Sequence, residues 1–263
     1  MPQHSPLLTE MIAAVRKAGR QLSRDFGEVE QLQVSRKGPT DFVSAADLKA
    51  EQTLFEELSK ARPGYGFLME ERGVVEGTDK THRWIVDPLD GTTNFLHGFA
   101  HFAISVALER EKELVAGVVY DVAKNEMFVA EKGRGAYLND KRLRVAARTS
   151  LPDALVVTGM EAVNRTGAGK QKFLEEFDRV SGAVADVRRL GSAALDLAYV
   201  AAGRYDAYWE RNLGAWDVAA GAVLVREAGG FAREVDGGDF METGSIIATN
   251  ERLLPLLTKV VKG

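Results

Sequence analysis

Two amphipathic helices at the start, a period-two middle and a tail in which short apolar strands alternate with helices predict an α+β fold in two lobes. An α+β lobe over about residues 5–150 is followed by an α/β lobe over about residues 151–261. No internal repeat, low-complexity tract or Pro/Ser-rich linker divides them, so the lobes are expected to share one interface within one domain.

Leu7, Leu8, Met11, Ile12, Val15 and Leu22 recur at helical spacing and predict a first helix ending near Gly27. Ser44 reads as the cap of a second helix, with Leu48, Leu54, Phe55 and Leu58 on one face and Arg62-Pro63-Gly64 as its stop. Between them, Ser35-Arg36-Lys37-Gly38-Pro39-Thr40-Asp41 reads as an exposed, mobile loop. Strands are predicted at Tyr65 to Leu68, Trp84 to Val86, Phe102 to Leu108, Val115 to Tyr120 and Met127 to Ala130. The short polar turns Arg110-Glu111-Lys112 and Ala123-Lys124-Asn125 make the last three antiparallel. After Leu151-Pro152-Asp153, strands at Leu155 to Thr158, Asp206 to Tyr208 and Ile246 to Ala248 alternate with helices. Those helices are expected near Lys170 to Val180, Ser192 to Ala202, Trp216 to Ala228 and Arg252 to Val261.

With 263 residues, 45% of them hydrophobic, the chain can fill a sizeable core. A formal net charge of -4 supplies no global basic field to recruit polyanions, so a nucleic-acid role would need a local patch. The absence of cysteine excludes disulfides, thiolate nucleophiles and thiolate zinc sites, leaving carboxylates and histidines as metal ligands. The opening MPQHSPLLTEMIAAVRKAG lacks a basic start and an unbroken apolar run, so it is expected to be mature sequence. No apolar stretch is long enough for a membrane-spanning helix, and the expected location is the cytoplasm.

The most informative stretch is Trp84-Ile85-Val86-Asp87-Pro88-Leu89-Asp90-Gly91-Thr92-Thr93-Asn94-Phe95. An apolar strand runs into Asp87, Pro88 is expected to stop the ladder, and a second carboxylate follows at Asp90. Two adjacent carboxylates in a buried place repel each other and are costly to desolvate, which a multivalent cation relieves. Mg²⁺ suits hard oxygen ligands and accepts a substrate phosphate in its shell. Gly91 permits close approach of a phosphate, and a helix opening at Gly91-Thr92-Thr93 would offer it free amides. The same residues also compose an ordinary turn. Glu70-Glu71 ends a strand and Trp216-Asp217 opens a helix after Glu210, so these acids could converge at one sheet edge. Equally, Glu70 reads as a solvated charge and Asp217 as a helix cap, and spacing alone leaves both readings open.

Asp87-Pro88-Leu89-Asp90-Gly91-Thr92-Thr93-Asn94-Phe95 resembles the hallmark motif of the inositol monophosphatases, and Trp216-Asp217-Val218-Ala219-Ala220-Gly221 resembles their C-terminal motif. Lys37 with Asp41 and Asp47, Glu70-Glu71, Gly117-Val118-Val119-Tyr120, Gly133-Arg134-Gly135-Ala136, Gly191-Ser192-Ala193 and Glu210 stand at that family's spacing. The run from Arg188 to Gly203 is similar to its bacterial members. The resemblance implies a layered αβαβα sandwich of the inositol monophosphatase and fructose-1,6-bisphosphatase type, two to three Mg²⁺ ions per site, lithium sensitivity and a homodimer. It implies that Glu70, Asp87 and the Leu89 carbonyl hold one magnesium and that Asp87, Asp90 and Asp217 hold a second. A third, weaker ion would lean on Glu70, and the Lys37 loop is a candidate to carry it. Gly91 and Thr92 would bind phosphate. Thr92, paired with Asp47 and assisted by Glu70, would orient the attacking water. Asp90, Ser192, Ala193, Glu210 and Asp217 would face the polyol. Met69 departs from the glycine that many members place before the paired glutamates, and Arg211 to Ala215 falls where substrate preference varies.

Trp84, Phe95, Phe99 and Phe102 are expected in the core. Among His82, His97 and His101, the last two stand four apart, but no glutamate backs them as in a zinc hydrolase and Gly98 argues against a helix there. Lys141, Arg142, Arg144 and Arg148 read as a solvated hairpin edge. The expected activity is hydrolysis of myo-inositol 1-phosphate or a close polyol phosphate. Fructose 1,6-bisphosphate and histidinol phosphate compete within the same chemistry. Outside enzymology the alternative is a scaffold in RNA transcription and processing, with Arg188-Arg189 as a candidate contact for a nucleic-acid-associated partner.

Overall fold

The computed structural model describes residues 4–28, 34–38, 41–160 and 165–263, by backbone alone at 34–38 and 41–43. Helix α1 (Pro6–Phe26) starts at the Ser5 cap, whose hydroxyl oxygen accepts from the Leu8 amide, and stops at Gly27. Strands β1 (Val34–Gly38) and β2 (Asp41–Ser44) pair antiparallel and lead into α2 (Ala45–Ala61). Next come β3 (Gly66–Met69), β4 (Gly73–Val75), β5 (His82–Asp90), the short helix α3 (Thr92–Leu96), β6 (Ala103–Arg110), β7 (Glu113–Asp121), β8 (Glu126–Glu131), β9 (Gly135–Leu138) and β10 (Lys141–Arg142). The chain continues through β11 (Leu155–Thr158), α4 (Gly167–Ser181), β12 (Asp186–Arg188), α5 (Ala193–Ala201), β13 (Ala207–Glu210), α6 (Ala215–Glu227), β14 (Phe231–Glu234), α7 (Phe240–Thr243), β15 (Ile246–Thr249) and α8 (Leu253–Lys262).

Eight strands form one sheet in the order β10-β9-β8-β7-β6-β5-β3-β4, and five form a second in the order β12-β11-β13-β15-β14. The first is antiparallel except where β3 and β5 run side by side, and the second mixes parallel and antiparallel pairs. Alternation along the strands decides what lies on each face. Trp84, Val86, Ile104, Val106 and Val118 pack with α1 and α2, whereas Ile85, Ala103, Ala107 and Val119 pack with α5 and α6. The far side of α5 and α6 meets Val157, Tyr208, Ile246 and Ala248 of the second sheet. The outer face of that sheet, with Val156, Trp209 and Ile247, packs with Leu253, Leu257 and Val261 of α8. The result is the αβαβα layering expected, with both sheets covered on both faces, which explains their nearly continuous apolar strands.

Four local expectations differ from the structure. The Ser35 to Asp41 stretch is a two-stranded pairing rather than a loop, with a register shift at Gly38; Pro39 and Thr40, and the side chains of Lys37 and Asp41, lie outside the described residues. Leu48 is 54% exposed, because the buried face of α2 is the i, i+4 strip Ala46, Ala50, Leu54 and Leu58. Phe99 is 51% exposed, carried outward where Gly98 takes a left-handed φ of 67°. The ladder does not stop at Pro88: β5 continues to pair with β6, and a bulge between Asp87 and Asp90 absorbs the residue that has no N–H.

Helix α6 lies close enough on β7 that a Cβ at Gly117 would sit 2.6 Å from the Ala220 carbonyl oxygen and 2.9 Å from its Cα. Backbone, not a flexible side chain, fills that space. Gly117→Ala is therefore expected to push α6 off the sheet and destabilise the protein by about 1–3 kcal/mol, read as a lower urea midpoint. An unchanged midpoint would contradict this packing.

Candidate active site at the end of the central strand

The site gathers where β3 and β5, running parallel, reach their carboxyl ends beside α3 and the starts of α5 and α6. Glu70 follows β3 directly, and its amide donates to the Val86 carbonyl across 3.2 Å. The bulge at the end of β5 lets Asp87 and Asp90 approach each other, and the Leu89 amide donates to Asp87 Oδ1 at 2.9 Å. Asp217, at the third position of α6, accepts from the Gly214 amide at 2.6 Å. It caps the helix and also joins the other acids: ligand oxygens of Asp87, Asp90 and Asp217 lie within 4.8 Å of one another. The two readings left open for Asp217 by the sequence are both satisfied by one side chain.

Helix starts and hydroxyls hold this group in place. Asp90 Oδ2 accepts from the Ser192 hydroxyl at 2.6 Å and from the Ala194 amide at 2.7 Å, which fixes it to the start of α5. Ser192 itself caps α5 by accepting from the Leu195 amide. The Thr92 hydroxyl lies 3.0 Å from both Asp47 Oδ1 and the Leu89 carbonyl, with donation open to either. The other oxygen of Asp47 accepts from the Ser44 amide and hydroxyl, a capping box that seats the carboxylate behind Thr92. Burial raises the Asp47 pKa, and the hydrogen bonds from Ser44 and Thr92 oppose that rise. Gly91 is left-handed with φ 91°, and a Cβ there would meet the His101 carbonyl oxygen at 3.0 Å. Because α3 begins at Thr92, the first amides of this segment precede its first intrahelical bond, from Phe95 N–H to Gly91 oxygen.

Glu70, Asp87, Leu89, Asp90, Gly91, Thr92, Ser192, Ala193, Glu210 and Asp217 line one cavity of about 1220 Å³. Asp47 stands behind Thr92, outside the lining. Glu70 shares the cavity but is not one of the three acids whose oxygens meet. On the opposite reach, Glu210 Oε2 accepts from the Tyr208 hydroxyl at 2.7 Å, and its carboxylate lies over Gly159, where a Cβ would come within 2.2 Å of both oxygens. His101 is a core residue, its pKa pushed down to about 4 by burial and then by Lys124, and it packs edge-on against Tyr199.

Two positioning side chains were not singled out from the sequence. Asn94 donates to the carbonyls of His101 and Leu190, each at 2.8 Å, tying α3 to the turn that precedes α5. Ser105 stands opposite Asp87 in the β5–β6 register and donates to the Trp216 carbonyl at 3.2 Å, which draws the start of α6 toward Asp87. Asn94 lies within the hallmark-like stretch, so its motif was a cue; for Ser105 only the register shows the role.

The acids fit a hard cation. Asp87 is buried, and burial first, then the charges of Glu70, Asp90 and Asp217, raise its pKa well above the usual carboxylate range. Oxygen donors that repel one another at one point suit a hard divalent cation, which would restore their ionised form.

A profile of the inositol monophosphatase family matches residues 3–262. The chain belongs to that family. It is 60% identical over 259 residues to a protein of Mesorhizobium japonicum named inositol-1-monophosphatase, covering 98% of this chain and 97% of that one. It is 42% identical over 260 residues to a Pseudomonas aeruginosa protein named Nus factor SuhB, covering 98% and 96%. A crystal structure of the extragenic suppressor protein suhB from Bartonella henselae superimposes with a TM-score of 0.94 at 53% identity, covering 98% of this chain and 99% of that chain. These likenesses span the whole inositol monophosphatase fold, sheets and helix layers together.

The raised pKa of Asp87 sets a sign for metal-free stability. The folded protein binds this proton more tightly than the unfolded chain, so the contribution is fully present below the ordinary value of 3.8 and is lost as pH rises through the raised folded value. In chelator, Asp87→Asn should therefore gain stability relative to wild type as pH rises above the ordinary carboxylate value of 3.8, measured as melting temperatures across pH. Parallel profiles for the two proteins would contradict the assignment.

Proposed function

We propose that this chain hydrolyses a small phosphate monoester with the help of Mg²⁺, and that the ester is myo-inositol 1-phosphate. As a member of the inositol monophosphatase family it is a phosphoric monoester hydrolase. The observation that carries the reading is the meeting of Asp87, Asp90 and Asp217 within 4.8 Å at the floor of a cavity that Thr92 and Glu210 also line.

In this reading Glu70, Asp87 and the Leu89 carbonyl hold one ion, and Asp87, Asp90 and Asp217 hold another. A third, weaker ion leans on Glu70. Bound magnesium supplies Lewis-acid neutralisation of charge on the phosphoryl group and on the leaving oxygen. The amides of Gly91 and Thr92 seat the phosphate, since first-turn N–H groups favour anions. The Thr92 hydroxyl receives the proton of the attacking water as it hands its own to Asp47, whose raised pKa suits it to accept one. Glu70 orients the same water from the other side. Asp90, Ser192, Ala193 and Asp217 bound the polyol, while Glu210, fixed by Tyr208, accepts from its hydroxyls through a charged acceptor. Homodimer assembly and lithium sensitivity belong to the same reading and rest on the family resemblance, while the cytoplasmic address rests on the sequence pattern.

A second reading follows from the relative named Nus factor SuhB: the chain also serves as a scaffold in RNA transcription and processing, using surfaces such as Arg188 and Arg189. The metal site separates the two, because a scaffold has no need of Asp87.

Phosphate release from a panel of myo-inositol 1-phosphate, fructose 1,6-bisphosphate and histidinol phosphate, with and without Mg²⁺, tests the proposal. Hydrolysis should require the metal and favour the first ester. Asp87→Asn should lower kcat/KM by about 10²-fold or more, a loss of several kcal/mol of charge stabilisation, while leaving partner binding intact. Thr92→Val should lower kcat by about 10²–10⁴-fold with little change in KM, the range for a lost proton relay. Metal-independent hydrolysis, or an Asp87→Asn enzyme as fast as wild type, would remove the proposal.

A further inference from the structure

We infer that Glu51 is a positioning residue for Glu70, and that α2 thereby aligns both flanks of the proposed water site from a single rigid helix. The inference rests on the reading of Glu70 as a metal-binding and water-orienting group.

Glu51 is 1% exposed, among the apolar residues of the strip by which α2 packs on the sheet. A carboxylate in such a place is costly unless its oxygens are satisfied. Its partners all belong to the turn that immediately follows Glu70. Oε2 accepts from the Glu71 amide at 2.9 Å and the Arg72 amide at 3.3 Å, and Oε1 lies 3.2 Å from Arg72 Nε. The Arg72 guanidinium is in turn seated over the Phe55 ring at 4.8 Å, one turn further along α2. On its other side Glu70 is fixed by its own amide, which donates to the Val86 carbonyl one residue before Asp87. Glu70 thus sits at the joint between a strand-pairing bond and a carboxylate-capped turn, and its side-chain direction follows from both.

Asp47 and Glu51 are one helical turn apart on the same buried face. Asp47 holds the Thr92 hydroxyl and Glu51 holds the turn behind Glu70. The two groups proposed to act on the water belong to different elements, Glu70 to the turn after β3 and Thr92 to the start of α3, yet both are referenced to α2. An apolar residue would fill the position of Glu51 as Ala50 and Leu54 fill theirs. Only a buried acceptor fixes two consecutive amides.

The capping bonds also support the β3–β4 hairpin, where Met69 pairs with Gly73, so the test must separate positioning from stability. Mn²⁺ binding by calorimetry and thermal unfolding are measured on the full chain for wild type, Glu51→Asp, Glu51→Gln, Glu51→Ala and Glu70→Gln. Positioning predicts that Glu51→Asp, which stays charged but cannot reach the amides, weakens Mn²⁺ about tenfold or more, as lost outer supports of metal ligands do. Glu51→Gln, which keeps an acceptor oxygen at full length, should regain most of that affinity. Glu51→Ala should lose stability and affinity together; if it fails to fold, the Asp and Gln variants decide. Lowered melting temperature with unchanged Mn²⁺ affinity in Glu51→Asp would overturn the inference and leave Glu51 a structural cap. If Glu70→Gln binds Mn²⁺ as tightly as wild type, the reading of Glu70 itself fails. If Glu70→Gln is weakened and Glu51→Asp is not, the positioning role alone fails.

Discussion

Three aspartates brought to one point, with a glutamate beside them, form an arrangement that a folded chain has reason to avoid. Desolvation and mutual repulsion push Asp87 toward its protonated form. The surrounding structure answers with partial positive charge. Asp90 accepts from a hydroxyl and an amide at the start of α5, Asp217 from an amide at the start of α6, and Asp87 from the Leu89 amide. These bonds orient the carboxylates without neutralising them. Acids that repel one another at one point suit a multivalent cation, and a site that departs from the usual rules of burial is where function is expected.

The layering makes that arrangement affordable in geometry. Helices α5 and α6 lie between two sheets, so their starts can reach the end of β5 only if they pack very close to the strands. Gly117 supplies the close approach on β7, and Gly221 supplies it between helices, where a Cβ would meet the Leu197 side chain at 2.4 Å. Ser105 then draws the Trp216 backbone toward the strand that carries Asp87. On the other face, α2 supplies Asp47 and Glu51 from beneath the sheet edge. Acids from β5 and α6 therefore face one another while their supports come from opposite layers, and no single loop has to hold the site.

Much of this was legible in the chain. The helix-to-strand changes of period, the hairpin turns at Glu111 and Asn125, both of which adopt positive φ, and the Ser44 cap are local chemistry, and they stand near the expected positions. The hallmark stretch from Asp87 to Phe95 places its acids at a strand end as its apolar approach predicts. Less legible were features set by distant partners. Whether Pro88 ends a strand or sits in a bulge depends on β6, and the fate of Leu48 and Phe99 depends on which surfaces are covered elsewhere. Strands β4, β9, β10, β12 and β14 are two to four residues long, too short to show a period. Ser105, Asn94 and Glu51 look like ordinary polar residues of a strand, a turn and a helix. Their partners lie 111, 96 and 20 residues away, which no local pattern encodes.

The division of labour within the cavity bears on which part of the function the fold holds fixed. The acids, Thr92 and their supports come from the ends of β3 and β5, from α2 and α3, and from the starts of α5 and α6, and each is tied to another by a hydrogen bond or by charge. The far wall comes from different elements: Glu210 and Tyr208 on β13, Gly159 after β11, and Phe173 and Leu174 on α4. Arg211 anchors that wall by bonding Glu176 of α4 at 2.6 Å and Asp236 at 2.7 Å. Because the two sets are built on different elements, a change in the wall alters which ester is held without moving the carboxylates that would meet its phosphate. Small contacts in such a wall discriminate between substrates by only a few kcal/mol, whereas loss of one member of a converging acid cluster would remove the proposed cation site itself. Hydrolysis is thus the part of the function most deeply fixed by the fold, and the choice of ester is the part most open to variation.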